Sequence, residues 1–226
     1  MAILFDLDGT LVDTADDIIS AINNLCVELN KPIVDPKMLK DNTSFGLERI
    51  LPIALNINIK EIDLEDLKKL KNRFRELYRE SNFIGSKLFP GIRSLISNLQ
   101  QNGFKIGVVT NKTLEFARLV LDKVDLLSTV DCLVAADMVP KPKPAPDSVL
   151  LAMEKLQVNS KECIFVGDAE QDIIAGNSAG VRTVAALFGY IGDKAIAKGW
   201  PANYFVTQPT EIWPLVQSIY SLSTTK

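Results

Sequence analysis

The chain has 226 residues, of which 47% are hydrophobic and 23% are charged, a balance typical of one globular α/β domain with a sizeable buried core. The net charge of −3 gives no support for nucleic acid as an obligatory partner. Histidine is absent, which excludes Ser-His-Asp and Cys-His catalytic groups and histidine-based zinc or iron sites. Any metal is therefore expected to be a hard cation bound by oxygen atoms.

Two further features bear on location. No apolar run approaches the roughly 18 residues of a membrane-spanning helix, and the first residues lack the pattern of a secretion signal. The cysteines Cys26, Cys132 and Cys163 are far apart and odd in number, so they are predicted to be reduced core residues. We therefore expect a cytoplasmic protein without a membrane partner. The sequence leaves monomer and homodimer open.

The first predicted elements are a strand and a long helical segment. The apolar run at 2–7 predicts a buried strand. Thr14 is placed to cap a following helix, whose first turn carries Asp16 and Asp17. From there to about residue 84 the apolar residues have helical spacing, and no part of this segment alternates like a strand.

From Pro90 onward, predicted strands and helices alternate. The predicted strands are 104–109, 132–135, 163–166, 181–185 and 204–206, and the predicted helices are 91–103, 113–124, 147–156, 170–179 and a C-terminal helix. Such alternation indicates a parallel sheet with helices on both faces. We predict an α/β core formed by residues 1–14 and 85–226, with an all-helical insertion, or cap, at residues 15–84.

Polar residues follow the predicted strands at the edge where open α/β sheets bind their ligands. They are Asp6, Asp8, Thr110, Asn111, Lys112, Asp137, Lys141, Lys143, Asp168 and Asp172. Asp6 and Asp8 lie two residues apart and would point the same way in an extended chain. Several carboxylates stay ionised together when a divalent cation lies among them, and an all-oxygen ligand set suggests Mg²⁺ and a phosphate substrate.

The same residues resemble a known family. The segment Asp6-Leu7-Asp8-Gly9-Thr10-Leu11-Val12-Asp13, followed in order by Thr110, Lys143 and Gly167-Asp168…Asp172, is similar to the phosphatase branch of the haloacid dehalogenase superfamily. The resemblance covers essentially the whole chain and implies a Rossmann-like core with a helical cap. Together with the run Lys143-Pro144-Ala145-Pro146, the first motif looks most like that of phosphoglycolate phosphatases.

The resemblance also implies roles for individual residues. Asp6 matches the nucleophile that becomes an aspartyl-phosphate, and Asp8 matches the general acid and base. The implied Mg²⁺ ligands are Asp6, Asp168 and the backbone carbonyl of Asp8, with Asp172 supporting the site. Thr110 and Lys143 match the groups that neutralise the transferring phosphoryl group, and Asn111 is a further candidate substrate-binding residue. Lys143 is preferred to Lys141 because its Lys-Pro-x-Pro run has the family's spacing from Gly167-Asp168.

In the cap, Gly46 and Arg49 are candidate substrate-binding residues. A guanidinium grips a carboxylate at two points, so Arg49 could meet a substrate carboxylate, with a surface salt bridge as the alternative. The best prediction is a phosphatase that acts on a small phosphorylated metabolite, first of all 2-phosphoglycolate. Pyrophosphatases and β-phosphoglucomutases share the core motifs and stay open. A non-catalytic regulator is the remaining alternative, although none of the catalytic aspartates is degenerate.

Overall fold

The computed structural model describes residues 1–43, 46–58 and 61–221, without the side chain of Glu48. Its centre is a six-stranded parallel sheet in the order β5-β4-β1-β6-β7-β8. The strands are β1 (Ala2–Phe5), β4 (Lys105–Val109), β5 (Cys132–Val134), β6 (Cys163–Gly167), β7 (Arg182–Ala186) and β8 (Tyr204–Val206). The predicted α/β fold with a parallel sheet is confirmed, because the strands of this sheet lie in the segments that the sequence predicted as strands.

Both faces of the sheet are covered by helices. Alternate residues of β1 enter different clusters: Ile3 and Phe5 join the larger one, and Ala2 and Leu4 the smaller one. The larger cluster includes residues of α5 (Ile92–Gln101), α6 (Leu114–Lys123) and α10 (Ile212–Tyr220), and the smaller one includes residues of α7 (Asp147–Leu156) and α8 (Glu170–Ser178). Because successive side chains of a strand point to opposite faces of the sheet, the one apolar run of β1 contributes to the core on both faces.

Between β1 and α5, the described residues form four α-helices. They are α1 (Ala15–Glu28), α2 (Pro36–Lys40), α3 (Leu47–Leu55) and α4 (Leu64–Glu80), and we call them the helical insertion. Asp35 caps α2 and Asp63 caps α4, each accepting a backbone N–H two residues on. Between α2 and α3, Ser44 and Phe45 lie outside the described residues. The helical character predicted for this segment agrees with the structure.

The chain enters and leaves the insertion through a two-stranded antiparallel ribbon. The strand β2 (Val12–Asp13) pairs with β3 (Lys87–Leu88). On the exit side, Asp17 of α1 accepts hydrogen bonds from Gly85 N (2.9 Å) and Ser86 Oγ (2.6 Å). Neither contact was predicted, because two-residue strands have no periodicity and the paired residues are far apart in sequence.

The remaining observations on the fold concern single segments and residues. The strand predicted at 2–7 ends at Phe5, although the N–H of Asp6 still donates to Val166 O at 2.9 Å. A short helix, α9 (Lys194–Ala197), was not predicted. Cys26, Cys132 and Cys163 are buried free thiols, which confirms their assignment to the core. Across the described ranges, no helix is both long and apolar enough to span a membrane.

Candidate active site

The carboxyl ends of the three central strands bring most of the predicted site residues together. Thr110 follows β4, Asp6 follows β1, and Asp168 follows β6, in neighbouring strands of the sheet. Thr110, Asp6 and Asp168 are all buried, and so are Lys143 and Asp172. A buried cluster of ionisable groups is costly unless its members pair with one another or with a ligand.

Three carboxylates form the centre of this cluster. Asp6, Asp168 and Asp172 each offer one oxygen, and these oxygens lie within 4.8 Å of one another. Burial raises the pKa of Asp6 well above its usual value; Lys143 opposes this rise, and Asp172 and Asp168 add to it. The donor set is all oxygen and carries excess negative charge, so it fits a hard divalent cation. The side chain of Asp8 is not part of this group.

Lys143 is the ammonium group inside the cluster. Its Nζ lies 2.8 Å from Asp6 Oδ1 and 2.7 Å from Asp172 Oδ1, and it donates to Val109 O at 2.9 Å. Burial alone would lower the pKa of Lys143, but the two carboxylates outweigh it and hold the pKa above its usual value. Lys141, the competing lysine, is exposed. The geometry therefore favours the preferred assignment of Lys143.

Asn111 holds the backbone of Lys143 in place. Asn111 Nδ2 donates to Lys143 O at 2.9 Å, and Lys143 N donates to Asn111 Oδ1 at 3.0 Å. Its amide also donates to Gln171 at 3.2 Å. The side chain predicted to bind substrate thus orients the Lys143 loop. Next to it, Thr110 Oγ1 accepts a hydrogen bond from Lys112 N at 3.1 Å.

Asp168 is oriented by groups from two loops. Thr10 Oγ1 donates to Asp168 Oδ1 at 3.0 Å, and Tyr190 N donates to Asp168 Oδ2 at 2.9 Å. Gly9 has a φ of +88°, and a Cβ at this position would overlap the Asp168 carboxylate. The glycine of the first motif is therefore required both by the backbone and by the close approach of Asp168.

Asp8 faces the cavity beside the cluster and has two partners. Thr14 Oγ1 donates to Asp8 Oδ1 at 2.5 Å, and Lys112 Nζ lies 3.1 Å from the same oxygen. Thr14 occupies the N-cap position of α1, as predicted, but its hydroxyl makes no capping hydrogen bond. The hydroxyl is directed to Asp8 instead.

Lys112 is a site residue to which the sequence analysis gave no role. Its ammonium donates to Tyr78 Oη at 3.2 Å and lies 4.7 Å from the centre of the Tyr78 ring. Burial lowers the pKa of Lys112, but the interactions with Asp8 and Tyr78 together outweigh burial and raise the pKa above its usual value. For the Tyr78 hydroxyl burial has the opposite effect and raises the pKa to about 12. In the sequence, the position of Lys112 after a predicted strand was the signal that placed it near the site. Its contact with Tyr78 could not be predicted, because Tyr78 lies in the distant helical insertion.

A cavity of about 370 Å³ lies between the sheet edge and the helical insertion. Asp6, Asp8 and Thr110 form its floor, and Lys71 and Arg75 of α4 form part of its wall. The apolar lining comes from Ile18, Leu47, Ile50, Phe74, Tyr78 and Phe116. The cavity therefore combines a floor of carboxylates and a hydroxyl with a wall that is partly apolar and partly cationic.

The two predicted residues of the insertion are separated. Gly46 lines the large cavity, whereas Arg49 lines a second cavity of about 280 Å³ with Tyr190 and Asp193. Arg49 Nε donates to Asn42 Oδ1 at 3.0 Å. The structure thus brings Asp6, Asp8, Thr110, Asn111, Lys143, Asp168, Asp172 and Gly46 around one region, with Arg49 lining another cavity.

The fold and these residues define an α/β protein with a cluster of three buried carboxylates at the carboxyl edge of its sheet. The family model described as haloacid dehalogenase-like hydrolase matches residues 3–186. The chain therefore belongs to the haloacid dehalogenase-like hydrolases, and its relatives are phosphatases.

Relatives and solved structures span nearly the whole chain. The N-acetylmuramic acid 6-phosphate phosphatase of Pseudomonas putida is 32% identical over 217 residues, which are 96% of each chain. A phosphoglycolate phosphatase of Xanthomonas campestris pv. campestris is 33% identical over 213 residues, 94% of each chain. A crystal structure from Haemophilus somnus, described as a predicted phosphoglycolate phosphatase, has a TM-score of 0.85 and 26% identity, covering 96% of this chain and 97% of that one. The resemblance to phosphatases of this superfamily is confirmed.

Proposed function

We propose that this enzyme is a Mg²⁺-dependent phosphatase that hydrolyses a small phosphomonoester through an aspartyl-phosphate on Asp6. The observation that carries the proposal is the pair of Asp6 and Asp8 on the floor of one cavity, with Lys143 Nζ 2.8 Å from Asp6 Oδ1. Such a pair supplies the nucleophile and the general acid and base that the two half-reactions need.

In the first half-reaction, a carboxylate oxygen of Asp6 attacks phosphorus and the ester oxygen leaves with the proton of Asp8. In the second, Asp8 takes a proton from water, and the water oxygen attacks phosphorus and releases Asp6. Inorganic phosphate and an alcohol are the products. Lys143 and Thr110 stabilise the charge on the transferring phosphoryl oxygens. Lys112 and Thr14 hold Asp8 toward the substrate.

Asp6, Asp168 and Asp172, with the Asp8 backbone carbonyl, are proposed to hold the Mg²⁺. When bound, the cation would supply positive charge that offsets the repulsion between these carboxylates and the phosphate. Asp168 is kept in one orientation by Thr10 and by the N–H of Tyr190. Asp172 Oδ2 accepts a hydrogen bond from Ala169 N at 2.9 Å.

The nucleophile is tested by Asp6→Asn, with Asp122→Asn on the exposed side of α6 as the matched control. Asp6→Asn should reduce kcat/KM by about a thousandfold or more, since an amide is a poor nucleophile. Acid quenching during turnover should leave one phosphoryl group on the wild-type and Asp122→Asn proteins and none on Asp6→Asn. Equal turnover by the two variants would exclude the aspartyl-phosphate route.

The first candidate substrate is 2-phosphoglycolate. Support comes from the relatives: the Xanthomonas campestris protein is 33% identical and is named phosphoglycolate phosphatase. The carboxylate of 2-phosphoglycolate would meet the cationic side of the cavity, where Arg75 and Lys71 lie. The wall of the cavity, not the floor, must distinguish between phosphate esters.

N-acetylmuramic acid 6-phosphate is the second candidate, and the cavity is the observation that favours it. The cavity has a volume of about 370 Å³ and three aromatic side chains in its wall, which is more space and more apolar surface than a two-carbon acid needs. A sugar acid would use the apolar wall as well as the cations. The Pseudomonas putida relative, at 32% identity, is named for activity on this compound.

Initial rates with these two esters, pyrophosphate and β-glucose 1-phosphate, measured with Mg²⁺ and then with EDTA, separate the possibilities. The proposal expects free phosphate as the product and the highest kcat/KM for one of the two carboxylated esters. Formation of a new sugar phosphate without free phosphate would indicate a mutase. A preference for pyrophosphate would replace the substrate assignment, and inactivity toward all four compounds would contradict the proposed phosphatase activity.

A further inference from the structure

Tyr190 joins the proposed metal site to the point where the chain enters the helical insertion. It lies between β7 and α9, and its side chain is buried. Its backbone N–H donates to Asp168 Oδ2 at 2.9 Å. Its hydroxyl accepts hydrogen bonds from Thr14 N (2.6 Å) and Ala15 N (2.9 Å) and donates to Asp13 Oδ1 (2.8 Å).

Two of these bonds satisfy backbone N–H groups at the start of α1. The first N–H groups of a helix have no intrahelical acceptor and commonly bind a Ser, Thr, Asp or Asn side chain at the N-cap. In α1 the N-cap residue is Thr14, and its hydroxyl is directed to Asp8. The Tyr190 hydroxyl, from a distant part of the chain, instead binds the N–H groups of Thr14 and of Ala15, the first helical residue, and Asp13 Oδ1 also accepts from Ala15 N at 3.3 Å. The one proton and both lone pairs of the hydroxyl are used.

The insertion also reaches this residue from a second side. Lys40 of α2 has its Nζ 3.2 Å from Asp13 Oδ2, and the same Nζ lies 5.6 Å from the centre of the Tyr190 ring. Phe89, directly after β3, has its ring centre 6.3 Å from that of Tyr190. Tyr190 thus contacts the segments through which the chain both enters and leaves the insertion.

We propose that Tyr190 is a positioning residue that keeps the entry to α1 in register with Asp168 and, through Thr14, orients Asp8. Thr14 is the shared element: its N–H is held by Tyr190, and its hydroxyl holds Asp8 Oδ1 at 2.5 Å. The role of Asp8 in this inference rests on the proposed function. Displacement of Thr14 would move the acid away from the leaving oxygen while leaving the nucleophile Asp6 in place.

The test is Tyr190→Phe, which removes the hydroxyl and keeps both the ring and the backbone N–H to Asp168. The control is Tyr220→Phe in α10, where a buried tyrosine hydroxyl is removed far from the site. Amide hydrogen exchange in the resting protein should become faster at Ala15–Ile19 in Tyr190→Phe and stay unchanged there in Tyr220→Phe. This measurement does not depend on catalysis, so it separates failure of the inference from failure of the proposed function.

A second readout uses the leaving group. An alkyl phosphate needs a proton from Asp8 more than 4-nitrophenyl phosphate does. Tyr190→Phe should therefore reduce kcat/KM by about tenfold for glycerol phosphate and by much less for 4-nitrophenyl phosphate, as expected for a displaced acid. Half-activation by Mg²⁺ should be unchanged, because the Asp168 contact is made by the backbone.

A purely structural role would lower both kcat/KM values equally, and that result would overturn the inference, as would unchanged hydrogen exchange at Ala15–Ile19. If Tyr190→Phe does not fold, Asp13→Ala provides the second variant. It removes the acceptor of the Tyr190 hydroxyl and the partner of Lys40, and it should reproduce the leaving-group dependence. Equal effects of Asp13→Ala on the two esters would likewise contradict the inference.

Discussion

Lys112 Nζ lies 3.1 Å from Asp8 Oδ1, and the same ammonium packs against Tyr78 of the helical insertion. Lys112 follows β4, as Thr110 does. A residue of the α/β core therefore connects Asp8, the proposed general acid, with α4 of the helical insertion. The Lys112 side chain is only 10% exposed, which limits screening of its interaction with Asp8 by water.

We expect Lys112→Met to lower kcat/KM by about ten- to a hundredfold, because Asp8 loses a neighbouring charge and a fixed orientation. Asp6 keeps Lys143, so the nucleophile is not affected directly. Steady-state rates with an alkyl ester check the prediction. The control is Lys141→Met, which removes a lysine from an exposed position nearby; similar losses in the two variants would contradict a specific role.

Asn111→Ala tests the support of Lys143. Removing the amide breaks two hydrogen bonds to the Lys143 backbone, at 2.9 and 3.0 Å, without touching the Lys143 ammonium. We expect a fall in kcat of about tenfold through misplacement of Lys143. Asn102→Ala, at the exposed end of α5, is the matched control. If kcat is unchanged and only KM rises, Asn111 contacts substrate directly, as the sequence analysis expected.

Arg75→Gln tests recognition of a substrate carboxylate by the insertion. Arg75 lies on the cavity wall, and its Nη1 donates to Asn72 Oδ1 at 2.8 Å, which keeps the guanidinium in a defined position. For a carboxylated ester KM should rise about tenfold or more, whereas 4-nitrophenyl phosphate, which has no carboxylate, should be turned over normally. Arg118→Gln on the exposed side of α6 controls for the loss of one positive charge. An equal change for both esters would rule out carboxylate recognition by Arg75.

Gly9→Ala and Gly103→Ala form a matched pair. Both glycines have positive φ, +88° and +73°, so alanine should cost about 1–2 kcal/mol of unfolding free energy at either position. A Cβ on Gly103 meets nothing within 4 Å, whereas one on Gly9 overlaps the Asp168 carboxylate. Gly9→Ala should therefore lose Mg²⁺-dependent activity by about a hundredfold and Gly103→Ala should keep it, as measured by urea unfolding and by steady-state rates. Equal activity in the two variants would show that Asp168 can move without consequence.

The positions of strands and helices were predicted correctly where a local pattern of apolar residues indicates them. The apolar runs after Phe104 and Cys163 formed neighbours of β1, and the polar residues at their ends met at one edge of the sheet. Because parallel strands all end at the same side, Asp6, Thr110 and Asp168 could be grouped from spacing alone. The choice of Lys143 came from the family resemblance, and its burial next to Asp6 agrees with that choice.

Periodicity could not reveal contacts between distant segments. The ribbon of β2 and β3, the diversion of the Thr14 hydroxyl to Asp8 and the hydrogen bonds of Tyr190 to the start of α1 all depend on how the insertion rests on the core. Local sequence determined which residues form strands and helices and which polar groups follow the strands, because those properties depend on neighbours a few residues away. Only the tertiary structure decided that Tyr190 meets Thr14 and that Arg49 lines a different cavity from Gly46, because these contacts depend on the packing of segments far apart in the chain.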